Sequence, residues 1–427
     1  MSKPTRQPKP TEIVEITIES LGGLGDGIAT YNDKPLFISK ACAGDQLKVR
    51  ITHQGKDSSQ GVITEVITGG PDRQDAHCKH FGVCGGCSLQ QLTPSAYQAF
   101  KRQMLQTSLD RAGLVAPNTD IVFLPPASRR RVEFKTMHRG GNVALSLHEP
   151  RSHNLVMIEH CPIIDPTLEA LIVPLNDALS AVPFTKNLAA VSLTATDSGI
   201  DMVLTIKGSE ARRLPGMEEM CRDIGLARIS VRTPDSRPEV AFTATPVFMK
   251  LGQYEVGIPP DAFLQASSAG QALLTDIAVE ATKDAHAVVD LFSGIGTYSF
   301  PLSAHTATHA VEGDSAMVGG IRNNISRHKI KNLSVEKRDL FLEPLSIKHL
   351  NQYGAAIVNP PRVGAKAQTE KLAESNIASV AMISCNPATF SRDARILQDA
   401  GFKLSSVRGL DQFVWSDHLE IAAVFKR

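Results

Sequence analysis

Over residues 11–69, apolar and polar positions alternate in short runs: TEIVEITIESL, GIATYNDKPLFI, DQLKVRITHQ and QGVITEVITGG. A period of two predicts strands, and the Gly, Asn-Asp and Gly-Asp pairs between them predict turns. Short strands at that spacing predict a small OB-like β-barrel. The period changes in SAYQAFKRQMLQTSLDRAG, where Tyr97, Phe100, Met104 and Leu105 recur at helical spacing and predict a helix over 94–113 with its apolar stripe turned to a core. Residues 127–260 read as mixed α/β, with strands such as LAAVSLTATD and GIDMVLTIKG and no chemical motif. After residue 261, AVVDLF, ATHAVEGD, LSVEKRDLF, AAIVNPPR and AMISCNPAT alternate with helical stretches, and FVWSDHLEIAAVFKR ends the chain. Apolar strands alternating with helices predict a parallel, doubly wound sheet. The expected organisation is a disordered Pro-rich arm at 1–10, a barrel at 11–69, a central α/β domain at 70–260 and a Rossmann-like domain at 261–427.

Composition narrows the class. A chain of 427 residues, 42% hydrophobic, is long enough for several buried cores. No run of eighteen apolar residues is present to span a bilayer, and MSKPTRQPKP lacks the apolar core of a signal peptide, so a cytoplasmic protein is expected. A net charge of +1 excludes a whole-chain electrostatic attraction to nucleic acid, so any basic surface must be local. Two clusters qualify: Arg129, Arg130 and Arg131 with Lys135, His138 and Arg139, and Arg322, Arg327, His328, Lys329 and Lys331. The second reads equally well as a solvated helix face, whereas the first, beside the alternating run RRRVEFKTM, is the better candidate for a phosphate backbone.

AVVDLFSGIGTYSF sets a strand before Gly294 and Gly296, where open α/β sheets bind ligands. Glu312 ends the next strand, 22 residues after Asp290, a place suited to gripping ribose hydroxyls. A dinucleotide fingerprint wants a third glycine near 299, and Ser299 stands there. S-adenosylmethionine, with no phosphate to cradle and a cationic end suited to acidic residues such as Asp290, fits better.

In ISCNPATFSRD, Cys385 follows an apolar strand at the same sheet edge. A thiolate beside a methyl donor makes sense when the acceptor ring lacks electron density, because sulfur addition supplies it. Uracil is such an acceptor: addition at carbon 6 makes carbon 5 nucleophilic, and a base must then remove the carbon 5 hydrogen. Glu420, in HLEIA beside His418, is placed among apolar residues that raise a carboxyl pKa. A surface glutamate at a strand end fits the same pattern.

Of the seven cysteines, Cys78, Cys84 and Cys87 fall within HCKHFGVCGGCSLQQL. In a reducing compartment such a set points to a metal or to chemistry. In order along the chain, CKHFGVCGGCSLQQL, AFLQAS, DLFSGIGTYSF, VEGD, NPPR, SCNPAT and HLE resemble the RNA uracil-5-methyltransferase family, in particular its 23S rRNA branch with an N-terminal TRAM barrel. The resemblance covers nearly the whole chain. It implies Cys385 as nucleophile and Glu420 as base, with Gln265, Phe292, Glu312 and Asn359 contacting S-adenosylmethionine and Asp339 on the adenine side. It further implies that Cys78, Cys84, Cys87 and Cys161 hold a four-iron four-sulfur cluster, with Gly85 and Gly86 keeping the turn free of Cβ clashes. Four thiolates also suit structural zinc, although only Cys84 and Cys87 form a C-x2-C knuckle. Cys42 and Cys221 read as ordinary buried cysteines.

The family's usual Asp before Pro-Pro-Arg is Asn359 here. An amide can accept from uracil N3–H and donate to O4, which favours uracil over cytosine. The implied partner is 23S rRNA, with tRNA as the alternative and a non-catalytic RNA-binding protein as a further one. The target base is expected to flip out of its stack. A monomer without membrane contact is expected.

Overall fold

The computed structural model describes residues 12–116, 119–182, 184–208 and 215–427. The arm expected at 1–10 lies outside them. The chain divides into two compact units. One takes the described chain up to Met104 with His148–His153 and Trp415–Asp417; the other takes Leu105–Leu147, Asn154–Val414 and His418–Arg427. No helix among the described residues is long and apolar enough to cross a membrane.

The first unit is built on a six-stranded sheet in the order Ile13–Thr17, Gln46–Gln54, Ser59–Thr68, Lys34–Ile38, Gly27–Tyr31, Ser20–Leu21. Its two ends belong to one continuous segment. Ile18 N–H donates to Asp45 O at 2.9 Å and Glu19 N–H to Ile28 O at 2.8 Å, so residues 13–21 pair along both edges and the sheet curls onto itself. Alternate positions turn inward, and Ile18, Ala29, Leu36, Ile38, Leu47, Val49 and Ile51 close the core.

Asp45, fully buried, anchors this sheet to the segment that follows it. Its carboxylate accepts from Arg73 Nε at 2.8 Å and Nη2 at 2.6 Å, from Gly70 N–H at 2.9 Å and from Cys42 N–H at 2.6 Å. Burial pushes its pKa up, but these donors outweigh burial and hold it below the usual carboxylate value. Its stabilisation is therefore present above about pH 4 and is lost as pH falls through the lowered value. Asp45→Ala should cost about 3 kcal/mol in denaturant unfolding, because it strands a partly buried guanidinium and two N–H groups.

Trp415, the single tryptophan, joins residues 415–417 to this unit. Its carbonyl accepts from Ser88 and Leu89 N–H at 2.9 and 3.1 Å, and its N–H donates to Tyr97 Oη at 2.9 Å.

The second unit holds two large sheets. The eight-stranded one runs Leu333–Lys337, Ala307–Glu312, Ala287–Leu291, Ala355–Val358, Ser379–Ser384, Glu420–Lys426, Lys403–Asp411, Thr119–Phe123. Its first five strands are parallel, and Glu420–Lys426 is antiparallel to both neighbours. Fully buried runs such as Ala355–Val358 reflect helices on both faces. The seven-stranded sheet runs Leu155–Met157, Asn142–His148, Arg131–Arg139, Leu188–Thr196, Gly199–Ile206, Arg228–Arg232, Glu239–Thr243. Helix Pro94–Ala112 reaches the doubly wound sheet's helices at its end, where Ser391 Oγ donates to Ser108 O at 2.7 Å.

The arginine triplet is partly engaged by the protein itself. Arg130 is 2% exposed, and Arg131 pairs with Asp261 at 2.6 Å. Arg129 Nε donates to the Arg131 carbonyl at 3.0 Å. The strand predicted from RRRVEFKTM is present at Arg131–Arg139, and Arg129 and Arg131 are half-buried beside the buried Arg130.

Candidate active site

The strand Ala287–Leu291 ends in a turn whose backbone is left-handed at Phe292 (φ 61°), Gly294 (φ 57°) and Gly296 (φ 84°). At Gly296 a Cβ would stand 2.8 Å from the Phe300 ring, so both conformation and space require glycine there. Gly294 N–H donates to Glu312 Oε2 at 2.9 Å, and Asp314 N–H donates to Oε1 at 2.8 Å. Glu312 thus ties the turn to the end of the neighbouring strand. Phe292 lies against Phe341 with ring centroids 5.2 Å apart, and Asp339 Oδ1 accepts from Phe341 N–H at 2.9 Å. Two aromatic rings and a strand-end carboxylate beside a glycine turn are a donor set suited to an adenosyl group.

Asp290 has a different place from the one expected. It is fully buried and accepts from Ser299 Oγ at 2.5 Å, and burial raises its pKa to about 7. It braces the turn from beneath and does not open towards a cationic ligand.

Cys385 follows the strand Ser379–Ser384, and the next residue, Asn386, caps helix Pro387–Asp399 by accepting from Ala388 N–H at 3.0 Å. Asn386 Nδ2 and Thr389 Oγ1 both donate to the Arg362 carbonyl, at 2.8 and 3.2 Å, fastening the Asn-Pro-Pro-Arg loop to the cysteine. Ser384 pairs with Ile421 in the antiparallel ladder, so the residues one step beyond, Cys385 and Glu420, fall opposite each other. Burial, then the charge of Glu420, raise the Cys385 pKa, while Arg362 lowers it. The resting sulfur is a thiol.

Glu420 is 3% exposed, and burial lifts its pKa to about 7 against the opposing hydrogen bond from Gln412. Gln412 Nε2 donates to both Glu420 Oε2 and Gln265 Oε1 at 3.0 Å. Gln265 Nε2 donates to Tyr298 Oη at 3.3 Å, and Asn359 Nδ2 reaches the same oxygen at 3.5 Å. One polar chain therefore joins Glu420, Gln265 and Asn359 through Gln412 and Tyr298. Sequence reading missed the last two: Gln412 sits in no motif, while Tyr298 was visible inside DLFSGIGTYSF only as part of the glycine turn.

The cysteine segment is less assembled. Cys84 N–H donates to His80 O at 2.8 Å, Gly86 N–H faces Cys84 Sγ at 3.4 Å, and Gly85 is glycine because a Cβ would meet the His148 carbonyl at 2.9 Å. Burial lowers the Lys40 pKa, and the neighbouring Cys84 and Cys87 oppose that shift. Soft thiol donors and an N–H aimed at sulfur suit an iron–sulfur or zinc centre in kind. Among the described residues no group of three or more His, Cys, Asp or Glu side chains is set to hold a metal ion. Cys42 and Cys221 are buried, as ordinary core cysteines are.

Residues 251–427 match the model of the tRNA (uracil-5-)-methyltransferase family. A Caulobacter vibrioides protein named an uncharacterized RNA methyltransferase is 34% identical over 97% of this chain and 100% of its own. The chain belongs to the RNA uracil-5-methyltransferase family. Another relative, a 23S rRNA (uracil(1939)-C(5))-methyltransferase of Pectobacterium carotovorum, is 29% identical over 99% of this chain and 95% of its own. In fold, this family member is similar to the crystal structure of the Pyrococcus abyssi tRNA (uracil-54, C5)-methyltransferase in complex with S-adenosyl-L-homocysteine. The TM-score is 0.75 at 18% identity, covering 96% of this chain and 100% of that one.

Proposed function

We propose that this protein methylates carbon 5 of a uridine in 23S rRNA, with S-adenosylmethionine as methyl donor, Cys385 as nucleophile and Glu420 as base. The observation that carries the reading is the ladder register that sets Cys385 opposite Glu420, in the same sheet as the strand that leads into the glycine turn, with Ala355–Val358 between them. Bound S-adenosylmethionine supplies an electrophilic methyl on a sulfonium. Cys385 loses its thiol proton to solvent and its sulfur bonds to carbon 6. The ring's double-bond pair shifts to make carbon 5 nucleophilic, and carbon 5 takes the methyl as the carbon–sulfonium bond breaks with its pair staying on that sulfur. After carbon 5 has taken the methyl, Glu420 accepts its hydrogen as a proton. The freed pair re-forms the carbon 5–carbon 6 bond and expels the Cys385 thiolate, so electrons and protons balance. A carboxyl titrating near neutrality is suited to that transfer.

Gln265, Phe292, Glu312, Asp339 and Asn359 are the residues we assign to the cofactor side. Asn359 donates towards Tyr298, which leaves its carbonyl oxygen as the end able to accept from uracil N3–H. The rRNA assignment draws on the Pectobacterium relative, whereas the family model's name speaks for tRNA. Nucleotide mapping of total RNA from cells with and without the gene decides between them: a 5-methyluridine lost from 23S rRNA is expected, and its loss from tRNA alone would overturn the assignment.

A four-iron four-sulfur cluster held by Cys78, Cys84, Cys87 and Cys161 belongs to the same reading, supported by the resemblance and by the thiol chemistry of the segment. Anaerobically purified protein should contain iron and acid-labile sulfide and absorb in the visible, and Cys87→Ser should lose both. Stoichiometric zinc, or no metal, would refute it.

A further inference from the structure

The base is gripped by a side chain that no motif marks. Gln412 follows the strand Lys403–Asp411, is 2% exposed, and divides its Nε2 between Glu420 Oε2 and Gln265 Oε1 at 3.0 Å each. Both partners are oxygens that accept, so only the NH2 end of the amide can face them. Its carbonyl oxygen must then point the other way. There it meets the first turn of helix Ser268–Thr282, where a Cβ on Gly270 would stand 2.6 Å from Gln412 Oε1 and 2.8 Å from Ser267 Oγ. Gly270 runs against helix propensity, since alanine is the best residue in such a turn. Its missing methyl is the space that Gln412 occupies. Oε1 is buried without a hydrogen-bond partner among the described residues, but it lies at the positive end of a fifteen-residue helix, which favours oxygen over NH2 at that point.

We propose that Gln412 is a positioning residue for the base, holding Glu420 and Gln265 in one orientation, and that Gly270 keeps the room for it. The proposal rests on the reading of Glu420 as the base. An ionised Glu420 fixes the polarity of Gln412, which fixes Gln265 with its carbonyl towards Gln412 and its NH2 towards Tyr298. The base's charge thereby sets which end of Gln265 is turned to the site. The other titratable groups that act on or are acted on by Glu420 are Cys385, from the neighbouring strand end, and Tyr298, from the glycine turn; Arg362 acts on Cys385. All of them remain in the variants that test the idea.

Those variants are Gln412→Leu, which keeps the volume and deletes the donor, and Gly270→Ala, which adds one methyl against Oε1. In the full-length protein the buried carboxyl band is titrated by infrared difference spectroscopy, assigned by its loss in Glu420→Gln, and the pH profile of methyl transfer is measured alongside. A donor to the ionised form lowers a carboxyl pKa, so its removal should raise the Glu420 midpoint by about one pH unit in Gln412→Leu, with a smaller rise in Gly270→Ala. The acid limb of kcat should move with it while KM for RNA stays near the parent value. Should Gln412→Leu fail to fold, Gln412→Met, unbranched and of similar length without the donor, replaces it in the same titration. An unmoved midpoint, with the rate lowered equally at every pH, would overturn the proposal. A parent protein that makes no 5-methyluridine would sink the functional reading only, since the carboxyl titration still decides the positioning one.

Discussion

Cys385→Ala is expected to lower methyl transfer by on the order of 10^5-fold and to abolish the covalent adduct with RNA carrying 5-fluorouridine at the target. Fluorine cannot leave as a proton, so the parent enzyme should stall with its sulfur bonded to carbon 6 and survive denaturing electrophoresis as a protein–RNA band. The size of the effect follows from the absence of a substitute. Without sulfur addition carbon 5 is too poor a nucleophile, and Cys221, another cysteine of the second unit, is buried and donates to Leu226 O at 3.2 Å. Cys221→Ala should therefore keep the adduct. The resting thiol also has a signature. Because burial and Glu420 raise the Cys385 pKa, adduct formation should quicken as pH rises above neutrality, and Arg362, whose charge favours the thiolate, should bring that rise to lower pH than burial alone would set. An adduct in Cys385→Ala as abundant as in the parent would end the covalent account.

How far the sequence foretold this site depends on what each residue's neighbours are. The doubly wound sheet was legible because central strands such as Ala355–Val358 are apolar throughout, and the glycine turn because Gly294 and Gly296 stand at a strand end. Glu420 could be nominated but not distinguished from a surface glutamate. The antiparallel register with Ser379–Ser384 distinguishes them, and register is a long-range property that HLEIA does not carry. Asp290 was misjudged for the same reason: a carboxylate at a strand end reads as facing ligand, yet Ser299, nine residues later, turns it inward. Alternation reveals a strand but not which face is covered, and Arg130 alone of the arginine triplet is covered, by the segment bearing Gln265, whose carbonyl accepts from its Nε at 2.9 Å. Within FVWSDHLEIAAVFKR the strand begins only at Glu420, since Trp415 takes a left-handed backbone (φ 57°) that no strand tolerates. Gln412 was out of reach altogether. A glutamine before Phe-Val-Trp has no pattern, and its role exists only because Gly270, more than 140 positions earlier, lacks a side chain.

Glu420→Gln should behave differently from the loss of the nucleophile, and that difference separates the two steps. The amide is isosteric and can still bond Gln412 through its carbonyl oxygen, so the fold and the attack of Cys385 on carbon 6 are retained. What it cannot do is accept the carbon 5 proton. Turnover should fall by about 10^2- to 10^4-fold, the range of a lost general base, while a methylated adduct accumulates on ordinary uridine-containing RNA without any fluorine. Mass spectrometry of the trapped complex should show the enzyme plus RNA plus one methyl group, and mild alkali should release it slowly as other bases take the proton. The pH dependence follows with a definite sign. A base with its pKa near 7 must be ionised to act, so kcat of the parent rises as pH climbs through that value and levels above it. In Glu420→Gln that limb should vanish. The stability effect runs the other way: a carboxyl whose folded pKa is raised destabilises the fold as pH rises from about 4 to 7, so the amide variant should gain on the parent in unfolding free energy above neutrality and match it at pH 4. A variant slow in chemistry, richer in adduct and more stable at high pH is the combined outcome that only a buried, proton-accepting carboxylate at residue 420 produces.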